Sequence, residues 1–334
     1  RELHLSLRRQ RQMCIRDSFN ITEGKWDAEL LEIAGVEEGK LSELTDPGEE
    51  IGDLTDEAAE ELGLPPGLPV YAGGHDQLCT ALGAGVVRPG EALLSMGTAW
   101  VVLCVTDELI LDREGRFPVE RHALPGLWAM LASIPAGGAC MRWLKELIDA
   151  RGYDEIEDEI TQIPVGSEGL FFFPYLTGAG APHWEPGHLG SLLGLRLSHS
   201  RGHIWRALME GVGYEVRWIA EQLRELGIRV DLLKAVGGGA RSSAWMRIVA
   251  DITGITMSIP DVIEAGAVGA AIIAGMGCGL IPPSSIAELV RAREVLQPDQ
   301  EAFREYSTLF RSYKDAFEGL SAIYSRWGSQ HDKG

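Results

Sequence analysis

The sequence predicts an α/β fold in which helices cover a central sheet. Three stretches predict it. Val70 to Leu78 reads VYAGGHDQL, an apolar strand running into a turn with two glycines. Leu93 to Val101 reads LLSMGTAWV, a second apolar strand that ends in Gly97 and Thr98. Leu233 to Val236 runs into Gly237, Gly238, Gly239, Ala240 and Arg241, and a helical pattern follows from Ser243 to Thr253. The strands at Val70 and Leu93 are expected to be buried.

The remaining elements follow from local signals in chain order. Apolar residues at helical spacing predict a helix over Trp26 to Ala34. Thr55-Asp56-Glu57-Ala58 reads as a capping-box start for a helix through Leu62, stopped by Gly63. Pro65, Pro66, Gly67 and Pro69 force an extended entry to the Val70 strand. Val101 to Val105 and Trp128 to Ser133 are β-prone runs expected to pair as hairpin-type strands. The turn Pro135-Ala136-Gly137-Gly138 opens an amphipathic helix over Ala139 to Ala150, and Asp154 to Glu159 reads as a solvated helix face. Leu170 to Phe173 is a short strand, followed by a loop from Tyr175 to Leu189 rich in Gly, Pro and His. Arg201 to Leu226 is a long helix, and Leu232 to Val236 and Met257 to Ile259 are strands. Ala265 to Met276 is a helix whose small residues permit close packing, and Phe303 to Tyr324 is the last helix.

Composition narrows the class. A chain of 334 residues favours about two domains. Hydrophobic content of 45% is that of a globular protein. A formal net charge of -19 argues against a nucleic-acid partner or an anionic membrane surface. It does not oppose ATP, because Mg²⁺ and backbone N–H groups hold phosphates locally. Cys14, Cys79, Cys104, Cys140 and Cys278 are scattered without metal-type spacing, which predicts reduced thiols and a cytoplasmic protein. No apolar run is long enough to span a bilayer. Residues 1–18 are Arg-rich, lack a signal-peptide core and read as an extraneous or basic tail, with ordinary alternation resuming at Phe19.

The glycine turns carry the chemistry. Asp76, behind Gly73 and Gly74, is a carboxylate that can take a proton from an alcohol, although a plain turn or capping role explains it equally from the tripeptide alone. Gly97 and Thr98 can hold a phosphate, or Thr98 is simply a strand-end hydroxyl. Gly238 and Gly239 let a ligand approach the backbone before a helix N-terminus, and triple glycines also make tight turns. Together these turns point to phosphoryl transfer to a hydroxyl. Arg142 either faces a nucleotide or solvates its helix. His183, His188, His199 and His203 lack metal-ligand spacing, so no metal site is assigned.

Longer motifs now carry a resemblance. VYAGGHDQLCTALGAG, ALLSMGTAWVV, GLFFFPYLTGAGAPHWEP, GSLLGLRLSHSRGHIWRALMEGVGYEVR, AVGGGARSSAWMRIVADITG and EAGAVGAA occur in this order. From Phe19 to about Tyr324 the chain resembles the C-terminal part of an FGGY-family carbohydrate kinase, xylulokinase-like in its general run. The resemblance implies two ribonuclease-H-like domains of the actin/hexokinase type, with ATP and sugar between them. Residues 19–87 then correspond to the end of the first, sugar-binding domain, and 88–330 to the second, nucleotide-binding domain. Asp76 falls on the family's catalytic base, with His75 and Gln77 beside the substrate. Gly97 and Thr98 fall on the second phosphate motif. Gly238, Gly239, Ala240 and Ser243 fall on the adenosine motif, and Gly138 and Arg142 lie near the nucleotide.

The departures from the family are specific. The Asp-x-Gly-Thr strand-turn that opens a complete member, usually tied to Mg²⁺, is missing, so the chain is expected to be truncated and to lack that anchor. Gln77 matches the polyol-contacting glutamine of the glycerol-kinase branch, where xylulokinases usually carry asparagine. The loop Thr177-Gly-Ala-Gly-Ala-Pro-His183 lacks the Glu-Arg pair usual in xylulokinases. His183 and Trp184 are expected at a domain interface, and Glu210 is expected to pack or pair at the nucleotide-domain surface. The implied activity is ATP-dependent phosphorylation of a pentulose such as xylulose. Fuculose, ribulose, glycerol and tetritols are alternative acceptors, and a homodimer is compatible with the family. A nucleotide-binding module without turnover and a non-kinase ATPase of the same superfamily stay open.

Overall fold

The computed structural model describes residues 18–148, 152–262 and 264–331, so the expected tail through residue 17 lies outside the described residues. The chain forms two compact units, parting between Ala72 and Gly73.

In the first unit, β1 (Phe19–Asn20) and β2 (Lys25–Trp26) form a small hairpin. The Asp27 side chain then accepts from the N–H groups of Glu29 and Leu30 and starts α1 (Ala28–Ala34). Trp26 therefore belongs to a strand and not to the expected helix. Antiparallel β3 (Glu50–Asp53) and α2 (Asp56–Leu62) precede β4 (Pro69–Tyr71), which pairs with β3. Thr55 accepts from Ala58 N–H and Gly63 ends α2 in the left-handed region, but the reciprocal half of the capping box does not form. Its third helical position is an alanine, which has no acceptor to return. Val70 is exposed, against expectation, because among the described residues β4 pairs within a two-stranded ribbon and no layer covers it.

The second unit is a three-layer sandwich. Its elements are α3 (Asp76–Gly83), β5 (Glu91–Met96), β6 (Trp100–Thr106), β7 (Val119–Arg121), β8 (Trp128–Ile134), α4 (Gly137–Ile148) and α5 (Tyr153–Thr161). There follow β9 (Phe171–Phe173), β10 (Ser191–Leu193), α6 (Arg201–Glu225), β11 (Leu232–Val236), α7 (Ser243–Thr253), β12 (Thr256–Pro260) and α8 (Ala265–Gly277). The short α9 (Ile286–Leu289), β13 (Ala292–Leu296) and α10 (Gln300–His331) complete it. One seven-stranded sheet runs β13-β12-β11-β5-β6-β8-β7. β5, β11 and β12 are parallel, while β6, β8 and β7 extend the sheet antiparallel. The expected pairing of Val101–Val105 with Trp128–Ser133 is present, with Leu103 opposite Leu131.

Alternate strand residues serve opposite faces of the sheet. Leu94, Met96, Val102, Ala132 and Ile134 pack on α4, α6, α7 and α10. Leu93, Leu103, Val105 and Leu131 pack against α3 and the start of α8. Helices α3 and α8 touch backbone to backbone, as the small residues of α8 predict. A Cβ on Gly83 would lie 1.9 Å from the Ala265 carbonyl oxygen, and one on Gly269 would lie 1.8 Å from that of Cys79. Only glycine fits at these two points.

Two buried acids on α6 tie this helix to its neighbours. Glu210 accepts from Gly166 N–H, Ser167 Oγ, Tyr306 Oη and Arg206 Nε. It is 1% exposed, so it sits in the core and not at the expected surface. Glu215 accepts from Tyr175 and Tyr313 and contacts His183 Nε2 at 3.1 Å. His183 is thereby packed inside the second unit, whereas Trp184 beside it is exposed with φ 53°. The last helix is longer than expected at both ends, and Asp299 sets its start by accepting from Glu301 and Ala302 N–H.

Candidate functional site

A cavity of about 600 Å³ lies at the carboxyl ends of β5 and β11. Ligand sites of parallel sheets favour that edge, and the volume suits a nucleotide-sized ligand. Its walls come from separate turns. Gly97 and Thr98 follow β5, Gly138 and Arg142 belong to the start of α4, and Gly238 and Gly239 lie between β11 and α7. Six of the expected site residues therefore meet in one place. Ala240 is buried beside them, and Ser243 is exposed at the first residue of α7; neither lines the cavity.

The glycines have different reasons to be there. A Cβ on Gly138 would lie 2.1 Å from the Gly97 carbonyl oxygen, so glycine lets the α4 start close onto the Gly97–Thr98 turn. Thr98 C=O accepts from the N–H groups of Gly138 and Ala139 at 3.1 and 2.9 Å, which fixes that closure. A Cβ on Gly239 would meet the Met96 side chain at 2.9 Å, a packing constraint. Gly238 has φ -62° and ψ -41°, and a Cβ there meets nothing within 4 Å. Its bare backbone opens on free space, the kind of approach a phosphate or sugar needs.

Charge divides around this cavity. Arg142 Nη2 is 3.5 Å from Thr98 Oγ1, and Arg241 lines the wall near Gly239. Asp154 and Glu157 on α5 line another wall. The expected solvated face is thus two-sided: Ile156 and Ile160 are buried while the acids border the cavity. The floor is apolar, from Met96, Met141, Met209, Trp100 and Trp245, with the two indole rings 4.6 Å apart. None of these floor residues was singled out from sequence, because an apolar residue signals burial without saying what it is buried beneath. Burial pushes the Cys140 thiol up to about 12, so it is a protonated packing group, not a nucleophile. Cys79, Cys104, Cys140 and Cys278 are free thiols.

Asp76 is placed elsewhere on the second unit. It is the first residue of α3, not a turn residue, with its side chain 78% exposed. His75 precedes it as the N-cap residue and contacts Asp76 Oδ1 through Nε2 at 3.0 Å. Gln77 donates its backbone N–H to the same oxygen at 2.8 Å, and its own Oε1 is buried without a partner among the described residues. The backbone contact of α3 with α8 holds this triplet on a rigid support. Among the described residues no three His, Cys, Asp or Glu side chains cluster to hold a metal ion. None of the described helices is long and apolar enough to cross a membrane.

The chain is similar to known proteins over most of its length. The C-terminal domain model of the FGGY family of carbohydrate kinases matches residues 92–278, and its N-terminal domain model matches residues 15–83. The xylulose kinase of Bacillus subtilis (strain 168) is 29% identical over 302 residues, covering 90% of this chain and 60% of that protein. The gluconokinase of the same strain is 29% identical over 308 residues, covering 87% of this chain and 59% of that protein. The crystal structure of xylulose kinase from Rhodospirillum rubrum matches with a TM-score of 0.82 at 31% identity, over 91% of this chain and 62% of that one. The chain thus spans about 60% of the length of the curated relatives it matches. Its fold is the ribonuclease-H-like, actin/hexokinase type of these kinases. The chain belongs to the FGGY family of carbohydrate kinases.

Proposed function

We propose that this chain serves an ATP-dependent carbohydrate kinase, passing the γ-phosphoryl group of ATP to a hydroxyl of a pentulose such as xylulose. The observation that carries the proposal is the convergence of Gly97, Thr98, Gly138, Arg142, Gly238 and Gly239 on one cavity. In this reading the Gly238 backbone and Arg142 receive the nucleotide, and Thr98 faces its phosphates. Residues 19–87 close the sugar-binding domain, and residues 88–330 are the nucleotide-binding domain. His75 and Gln77 flank the sugar. Xylulose kinase and gluconokinase relatives match at the same 29% identity, so gluconate is a second acceptor class to test.

Asp76 acts as general base. The sugar hydroxyl oxygen forms a bond to the γ-phosphorus, the bond from that phosphorus to the bridging oxygen breaks, and ADP leaves. The hydroxyl proton passes to Asp76. Mg²⁺ supplies charge neutralisation on the phosphates when bound.

Calorimetry with ATP, followed by sugar-dependent ADP release, tests the reading. Asp76→Asn is expected to lower turnover by about a hundredfold or more while ATP affinity stays within about twofold. Parallel loss of both would refute the base role.

A further inference from the structure

Asp76 has one carboxylate oxygen held and the other open. Oδ1 accepts from Gln77 N–H at 2.8 Å and contacts His75 Nε2 at 3.0 Å. Oδ2 makes no hydrogen bond among the described residues. The second ring nitrogen of His75, Nδ1, lies 3.0 Å from Oε2 of Glu120, the middle residue of β7. Ionised carboxylates can only accept, so with Glu120 at Nδ1 and Asp76 at Nε2 the ring donates from both nitrogens, as an imidazolium does. Exposure rises along this chain of groups: 12% for the Glu120 side chain, 36% for His75 and 78% for Asp76. The supporting end is shielded and the working end faces solvent.

Sequence separation sharpens the point. His75 and Asp76 are adjacent, but Glu120 lies 45 residues beyond His75, on a strand of three residues paired with β8. Tertiary structure alone brings the second carboxylate to the ring. We propose that Glu120 is a positioning residue for the base: it holds the His75 ring through Nδ1, and the ring holds Asp76 so that Oδ2 faces the substrate hydroxyl. A proton taken up at Oδ2 leaves both contacts at Oδ1 in place, so the geometry persists through the transfer. This inference rests on the reading of Asp76 as the base.

The test compares Glu120→Ala, Glu120→Gln and Asp76→Asn in the full chain, with ATP and D-xylulose or gluconate. Glu120→Ala is expected to lower kcat about tenfold, the usual scale for losing an orienting outer partner, with little change in the KM for ATP. Glu120→Gln keeps an acceptor and should fall between Glu120→Ala and the wild type. The nitrogen-15 spectrum of the His75 ring reads the same contact without turnover. Both ring nitrogens should carry a proton in the wild type near neutral pH, and Glu120→Ala should let Nδ1 lose its proton at a lower pH. For a chain that binds ATP without turning over, that spectrum decides alone. Turnover lost in Asp76→Asn but intact in Glu120→Ala, with an unchanged His75 spectrum, overturns the positioning role and spares the base. Turnover surviving in Asp76→Asn overturns the base reading and this inference with it. A purely structural contact would lower the unfolding temperature of Glu120→Ala and leave kcat at the wild-type level.

Discussion

Asp76 and Glu210 show what burial does to the same functional group. Asp76 follows Gly73 and Gly74 after one histidine, Glu210 precedes Gly211, and neither pattern says which is active. Asp76 stands exposed at the start of a helix, with one oxygen unused among the described residues. Glu210 is enclosed by four donors, and burial still holds its carboxyl above the ordinary value, because Arg206 and the hydrogen bonds around it counter the desolvation only in part. His122 is a third case. It is 5% exposed, its Nδ1 accepts from Leu124 N–H, and burial pushes it down to about 4. The folded protein therefore keeps this ring neutral while the unfolded chain protonates it near the ordinary 6.5. Stability is lost as pH falls from about 6.5 towards about 4, by up to about 3 kcal/mol. Urea unfolding at pH 7.5 and pH 4.5 should show His122→Asn losing clearly less than the wild type on acidification. Equal losses would mean that the ring is not a buried neutral group.

At the scale of elements, helix and strand periods in the sequence locate most of the second unit, and caps decide their ends. Asp27 moved the start of α1 past Trp26 because its carboxylate captured two N–H groups. The Val70 strand shows the limit of periodicity, since an apolar run predicts burial only when a covering layer exists. The small residues of α8 did announce close packing, and the Gly83 and Gly269 contacts are its consequence. Gly269→Ala would force a methyl group against the Cys79 carbonyl, where no flexible side chain can yield. A loss of about 3 kcal/mol, at the upper end of ordinary overpacking, is expected in denaturant unfolding. Because α3 carries Asp76, the same substitution should also lower kcat. An unchanged unfolding midpoint would show that the two helices separate at little cost.

The whole molecule assembles its cavity from segments around residues 96–98, 138–142, 153–157, 209 and 238–245, which no single motif spans. If a nucleotide binds there, ADP at a hundred times its Kd should stabilise the chain by about 2.7 kcal/mol. Gly238→Val should remove that stabilisation while leaving the ligand-free protein unchanged, because its backbone is helical and its Cβ meets open space. Equal stabilisation of both proteins would place the nucleotide elsewhere. The sequence by itself determined the α/β class, the family through motifs in order, and the glycine turns of the site, because these depend on local backbone freedom and on spacing along the chain. Only the tertiary structure decided that Glu210 is buried, that α5 turns two acids towards the cavity, and that Glu120 reaches His75. Those outcomes depend on which faces meet across the sheet, and contacts between residues distant in sequence set that meeting.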